Sequence, residues 1–136
     1  MASRLRYMLD TNTVIYIMNG RSDRAFFEMT KCDREEICIS SVVYAELCFG
    51  AEGSNRRDET VGRLEKFLEG IAVLDFGVEA AREYGRVKQY LRRKGTLIGD
   101  HDMLIGAHAN SMDLTLVTHN VKEFARIPGL EVADWA

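Results

Sequence analysis

Three carboxylates, Asp10, Glu46 and Asp102, stand at positions where side chains could do chemistry. Asp10 closes the apolar run Tyr7-Met8-Leu9, and a new apolar run, Val14 to Met18, begins after Asn12. We read the first run as a short buried strand and the second as a helix. That puts Asp10 at a strand's carboxyl end, where open α/β sheets bind ligands. Glu46 lies within an apolar helix, on a face shared with Val42, Val43, Phe49 and Gly50. An unpaired carboxylate in such company is costly. Asp102 opens the most apolar helix of the chain. Each acid also has an ordinary explanation. Asp10 and Asn12 can turn the chain and cap a helix, Glu46 can pair with an arginine, and Asp102 can complement a helix dipole.

Taken jointly, the strand-end and helix-start placements converge on one rim of a parallel sheet. Carboxylates gathered there need a countercharge, or their pKa values rise. A hard divalent cation supplies it, and Mg²⁺ or Mn²⁺ suits carboxylate and water oxygens. His101, His108 and His119 are not at metal-ligand spacing, which argues against zinc. The reaction such a site suits is hydrolysis of a phosphodiester. A second polar cluster, Thr118-His119-Asn120, follows another strand. Its hydroxyl and amide could orient a water or a bound ligand, or simply turn and cap. His119 is a candidate substrate contact. Asp100 reads as the cap of the helix that Asp102 begins, Asp75 as a turn residue, and His108 as a core histidine.

The elements that must hold these residues alternate along the chain. Strands are expected at Tyr7 to Leu9, Ile37 to Ile39, Ile71 to Leu74, Leu114 to Thr118 and, at an edge, Leu130 to Val132. Helices are expected from Val14, at Ala25 to Met29, Val42 to Gly50, Thr60 to Glu69, Val78 to Lys94 and Asp102 to Asn110. A short helix or turn is expected at Val121 to Arg126, and a loop from Ala51 to Arg57. In Val78 to Lys94, Ala80, Tyr84, Val87 and Leu91 form one apolar stripe. Alternation with connections too long for hairpins predicts an α/β fold, a mostly parallel central sheet with helices on both faces.

At 136 residues the chain is read as one domain, residues 1–136. Its net charge of −3 argues against a protein that merely coats nucleic acid. Cys32, Cys38 and Cys48 lack metal-binding spacing and read as reduced thiols in the core of a cytoplasmic protein. Asp10 interrupts the first apolar run, so no secretory leader is read. No stretch reaches the ~18 apolar residues of a membrane span.

Four motifs in order carry a resemblance that covers nearly the whole chain. They are Met8-Leu9-Asp10-Thr11-Asn12, Ser40 to Leu47 with Gly50-Ala51, Gly99 to Ala109, and Val117 to Asn120 with Phe124. The closing Ile127 to Leu130 and Asp134-Trp135 also fit. The sequence resembles PIN-domain ribonucleases, specifically VapC-type toxins of bacterial toxin–antitoxin pairs. The resemblance implies a Mg²⁺- or Mn²⁺-dependent endoribonuclease, a homodimer, and a cognate VapB-type antitoxin that blocks the site. It implies that Asp10 and Asp102 ligate metal and Glu46 completes the acidic site, with Thr11, Asn12, Thr118 and Asn120 in support. Several relatives of this type cut initiator tRNA in the anticodon stem-loop, so tRNA is the substrate it suggests first. One departure is Asn120, where many PIN domains carry a fourth acid. The basic residues Arg92, Arg93 and Lys94, which lead toward Asp102, are candidate RNA contacts.

Two rivals belong to other classes. A phospho-acceptor signalling domain would use Asp75 as acceptor. It also needs an acidic pair near Asp10 and a Lys ending the last strand, and neither is present. An inactive PIN-like binding module would not be expected to keep all of Asp10, Glu46 and Asp102.

Overall fold

The computed structural model describes residues 4–136. Its strands are Tyr7–Leu9 (β1), Ile37–Ser40 (β2), Ala72–Leu74 (β3), Thr115–Val117 (β4) and Val132–Ala133 (β5). All pair in parallel, in the order β3-β2-β1-β4-β5. Every residue of β2 is buried, as a strand covered on both faces requires. The edge strand β3 leaves Ala72 and Val73 exposed.

The helices are Thr11–Met18 (α1), Asp23–Thr30 (α2), Ser41–Glu52 (α3), Arg57–Phe67 (α4), Val78–Lys94 (α5), Asp100–Ser111 (α6) and Val121–Phe124 (α7). From β1 the chain steps through β2 to β3 on one side. It then crosses back to β4 and β5 on the other. Right-handed crossovers therefore place α1 to α4 on one face and α5 to α7 on the opposite face. The packing agrees: α1 touches α2, α3 and α4, while α5 packs most extensively on α6. Among the described residues no helix is long and apolar enough to cross a membrane.

Several boundaries differ from the sequence reading. α1 starts at Thr11 because Asp10 already caps it. α3 continues to Glu52 and α4 begins at Arg57, so the loop between them is short. β5 is shifted to Val132–Ala133, opposite Leu116 and Val117. The chain is still turning at Leu130, whose amide donates to the Ile127 carbonyl after Gly129 at φ +83°.

The core joins Met8, Leu9, Ile37, Ile39 and Leu116 of the sheet to Met103 and Ile105 of α6. Of the cysteines, which are all free, only Cys38 is buried, and burial pushes its thiol up to about 12. Cys32 is partly exposed but packs against the core, whereas Cys48 is partly exposed, contrary to the expectation of a core thiol. His108 is a core histidine as expected: it is buried and shares a 2.8 Å hydrogen bond between Nδ1 and Ser40 Oγ.

Candidate active site

Asp10 stands at the carboxyl end of β1 and also caps α1. Its backbone is extended at the end of β1, and its Oδ1 accepts from the Thr13 amide at 2.8 Å, capping α1. Its Oδ2 accepts from Thr118 Oγ1 at 2.6 Å. Both residues are buried. Thr118 Oγ1 in turn accepts from the Asn120 amide at 3.0 Å. Two further bonds tie the strand ends together: the Asp10 amide donates to the Val117 carbonyl at 3.1 Å, and Thr13 Oγ1 donates to the same oxygen at 3.2 Å. β1 leads off toward β2 and β4 toward β5. Asp10 and Thr118 thus sit at the point where strand order reverses, the ligand crevice of an open α/β sheet.

Three other acids surround that point. Asp102, half-buried in the first turn of α6, has its carboxyl pushed above the usual carboxylate range. Burial is the main cause, followed by the negative charges of Glu123, Asp10 and Glu46, while His101 pulls the other way. Glu46 Oε1 accepts from Thr11 Oγ1 at 3.0 Å, and His101 Nδ1 stands 3.5 Å from Glu46 Oε2. The half-buried Glu46 therefore has a hydroxyl and an imidazole beside it rather than an arginine. Glu123, on α7, accepts from the Asn120 side-chain amide at 3.0 Å. α7 is seated against α6 at Gly106, where a Cβ would meet Ile127 Cδ1 at 2.5 Å and Phe124 Cδ1 at 3.3 Å.

Glu123 was missed in the sequence, where a neutral Asn120 stands in for the family's fourth acid. The available signal was the spacing Asn120-x-x-Glu123, an acid in the first turn after a strand-end cluster. Asn120 itself is exposed, and its amide holds Glu123. Asn12 is also exposed, on the rim of the cleft that Thr11 and Glu46 line.

Other candidates lie apart. Asp100 was expected to cap α6, but Gly99 occupies that position. Asp100 turns toward α5 instead, 3.3 Å from Lys88 Nζ and 3.4 Å from the Tyr84 hydroxyl. His119 Nδ1 is 3.1 Å from Asp134 Oδ2. Asp75 is exposed after the edge strand β3, two strands away from β1. That placement removes the structural basis for Asp75 as a phospho-acceptor beside Asp10. Arg92, Arg93 and Lys94 form the exposed last turn of α5, where they complement its carboxyl-end dipole.

The donor set is wholly carboxylate and hydroxyl oxygen, the chemistry a hard divalent cation requires. Asp102 is destabilised by its acidic neighbours, a repulsion a cation relieves. Among the described residues no three His, Cys, Asp or Glu side chains already enclose a single point. The residues therefore fit such an ion in donor type and charge, in an open cluster.

Fold and site together define an α/β domain with an acidic crevice at its strand-order reversal. The PIN domain family profile matches residues 7–130. The chain is 38% identical over 131 residues to the tRNA(fMet)-specific endonuclease VapC of Salmonella typhimurium, covering 96% of this chain and 98% of that one. It is 38% identical over 130 residues to ribonuclease VapC2 of Rickettsia felis, covering 95% and 97%. Among solved structures, DNA-bound VapBC from Salmonella typhimurium superposes with a TM-score of 0.91 at 38% identity, covering 97% of this chain and 99% of that one. Rickettsia felis VapBC2 bound to a promoter DNA fragment gives 0.90 at 35%, covering 97% and 100%. The chain belongs to the PIN-domain family.

Proposed function

We propose that this protein is a Mg²⁺- or Mn²⁺-dependent endoribonuclease, the VapC-type toxin of a cytoplasmic toxin–antitoxin pair. Residues 1–136 form its single PIN domain, which acts as a homodimer and is held inactive by a VapB-type antitoxin. Its substrate is RNA, with tRNA, and initiator tRNA in particular, the first to test. One observation carries the reading. Asp10 is fixed by Thr118 at the strand-order reversal, with Asp102, Glu46 and Glu123 charging the same crevice. The naming of close, full-length relatives as ribonuclease VapC supports it. So does the occurrence of the solved neighbours as VapBC complexes.

Asp10, Asp102 and Glu46 would hold the cation, with Glu123 adding negative charge. When bound, such an ion lowers the pKa of water and offsets charge on the attacked phosphate. The chain's own residues do the rest. Thr118 and the Thr13 amide fix both oxygens of Asp10, so the carboxylate is oriented before substrate arrives. Thr11 holds Glu46, with His101 beside it, and Asn120 holds Glu123. Arg92, Arg93 and Lys94 supply positive charge for RNA phosphates, and His119 is a further contact. An inactive binding module would have no use for three acids whose charges add to the burial that raises the carboxyl of Asp102.

The test is cleavage of purified tRNA by wild type, Asp10→Asn and Asp102→Asn. Cleavage with Mg²⁺ or Mn²⁺, abolished by EDTA and in both variants, is expected. Equal cleavage by all three proteins would overturn the assignment.

A further inference from the structure

Phe49 is the most exposed large apolar side chain among the described residues, with 83% of its surface open. It is not part of the core cluster. Yet its surroundings are not ordinary surface. With Thr11, Asn12, Glu46, His101 and Leu104 it lines one open cleft of about 710 Å³. This cleft contains the Glu46 edge of the acidic site.

The spacing gives the ring a use. Phe49 follows Glu46 by three residues on α3, so both side chains share a helix face. Three residues advance about 4.5 Å along the axis, a step that a single nucleotide can span. A phosphate held at the acids must leave an adjacent base in or beside this cleft. Unpaired bases are characteristically recognised by stacking on aromatic side chains, with little dependence on base identity. The cleft offers the two surfaces a nucleotide needs, an oxygen-lined end for its phosphate and an apolar ring for its base. A second protein copy would need only the ring.

We propose that Phe49 is the stacking platform for an unpaired base next to the scissile phosphate. This rests on the ribonuclease reading above.

The experiment compares wild type with Phe49→Trp, Phe49→Leu and Phe49→Ala. The side chain is exposed, so all four should fold with similar melting temperatures. Expected for tRNA cleavage is a KM raised about tenfold in Phe49→Leu and Phe49→Ala. The kcat should stay within a fewfold of wild type, and Phe49→Trp should match wild type. In a separate binding arm, a short single-stranded RNA carrying 2-aminopurine should be quenched by wild type and Phe49→Trp but not by Phe49→Leu. Kinetics and quenching in Phe49→Leu equal to wild type would overturn the proposal. A change of solution mass in Phe49→Ala, with quenching intact in Phe49→Leu, would assign the ring to contact between copies and also overturn it. If wild type cuts no RNA, the ribonuclease reading fails, and the quenching arm still decides whether Phe49 stacks on a base.

Discussion

Thr118 Oγ1 donates a 2.6 Å hydrogen bond to Asp10 Oδ2 across 108 residues of chain. It joins the ends of two neighbouring parallel strands at the point where the sheet's connections diverge. The same hydroxyl accepts from the Asn120 amide, so one side chain sets both Asp10 and the entry to α7, which carries Glu123.

Replacing Thr118 by Val should therefore hurt twice. The shape is kept, but Asp10 loses its donor and the Asn120 amide its acceptor. Leaving the buried Asp10 oxygen without its donor costs about 1–3 kcal/mol. Misorienting a metal-binding carboxylate lowers metal affinity or activity ~10–100-fold. Thr118→Ser keeps the hydroxyl and should retain most of both. Urea denaturation and cation-dependent cleavage of the two variants check this.

Asp102 predicts a trade of stability against function. Its folded carboxyl is raised, so the folded state binds that proton more tightly than the unfolded chain. Stability is then lost as pH rises from the unfolded Asp value of about 3.9 through the folded value. At neutral pH without metal, Asp102→Asn should melt higher than wild type, by roughly 1–4 °C. The gain should fade on acidification. Added Mn²⁺ should raise the wild-type melting temperature and leave the variant nearly unmoved, with EDTA reversing the effect. Thermal melts across pH, with and without the ion, measure both.

Glu123→Gln isolates the acid that Asn120 positions. The amide can still accept the 3.0 Å bond from Asn120, but the charge beside Asp102 is gone. The fold should be unchanged or slightly more stable. Apparent affinity for the divalent cation should fall about tenfold, and cleavage with it. Isothermal titration with Mn²⁺, set beside cleavage rates, tests this. Unaltered affinity and rate would remove Glu123 from the site.

His108 sets an acid limit on the fold. Burial holds its imidazole below the ordinary histidine range. The unfolded chain then binds the proton more readily, so stability is complete above the unfolded value of about 6.5. It declines as pH falls below that value, toward the folded value. His108→Asn can keep a partner for Ser40 Oγ without titrating. Its melting temperature should vary less between pH 7.5 and 5.5 than that of wild type.

Much of this was legible in the chain. Local apolar runs ended by Asp10 and Thr118 marked strand ends, and the stripe Ala80, Tyr84, Val87, Leu91 marked α5. All four stripe residues lie on α5, three of them buried and Tyr84 packed against the core at its edge. Apolar periodicity is a local property, so short windows reveal it. Asp10, Glu46 and Asp102 could be singled out because each breaks an apolar pattern or begins one.

What the tertiary structure alone decided is which of these residues meet. The strand order β3-β2-β1-β4-β5 makes β1 and β4 neighbours, and no local pattern encodes that adjacency. The contact between Gly106 and Phe124 seats α7 so that Glu123 reaches the crevice. Asp100 and Asp102 look alike in sequence, yet Lys88 and Tyr84 draw one toward α5 while the other faces the acids. Helical phase separates them: residues two apart point in different directions, and only the packing of α6 on α5 decides which faces the site.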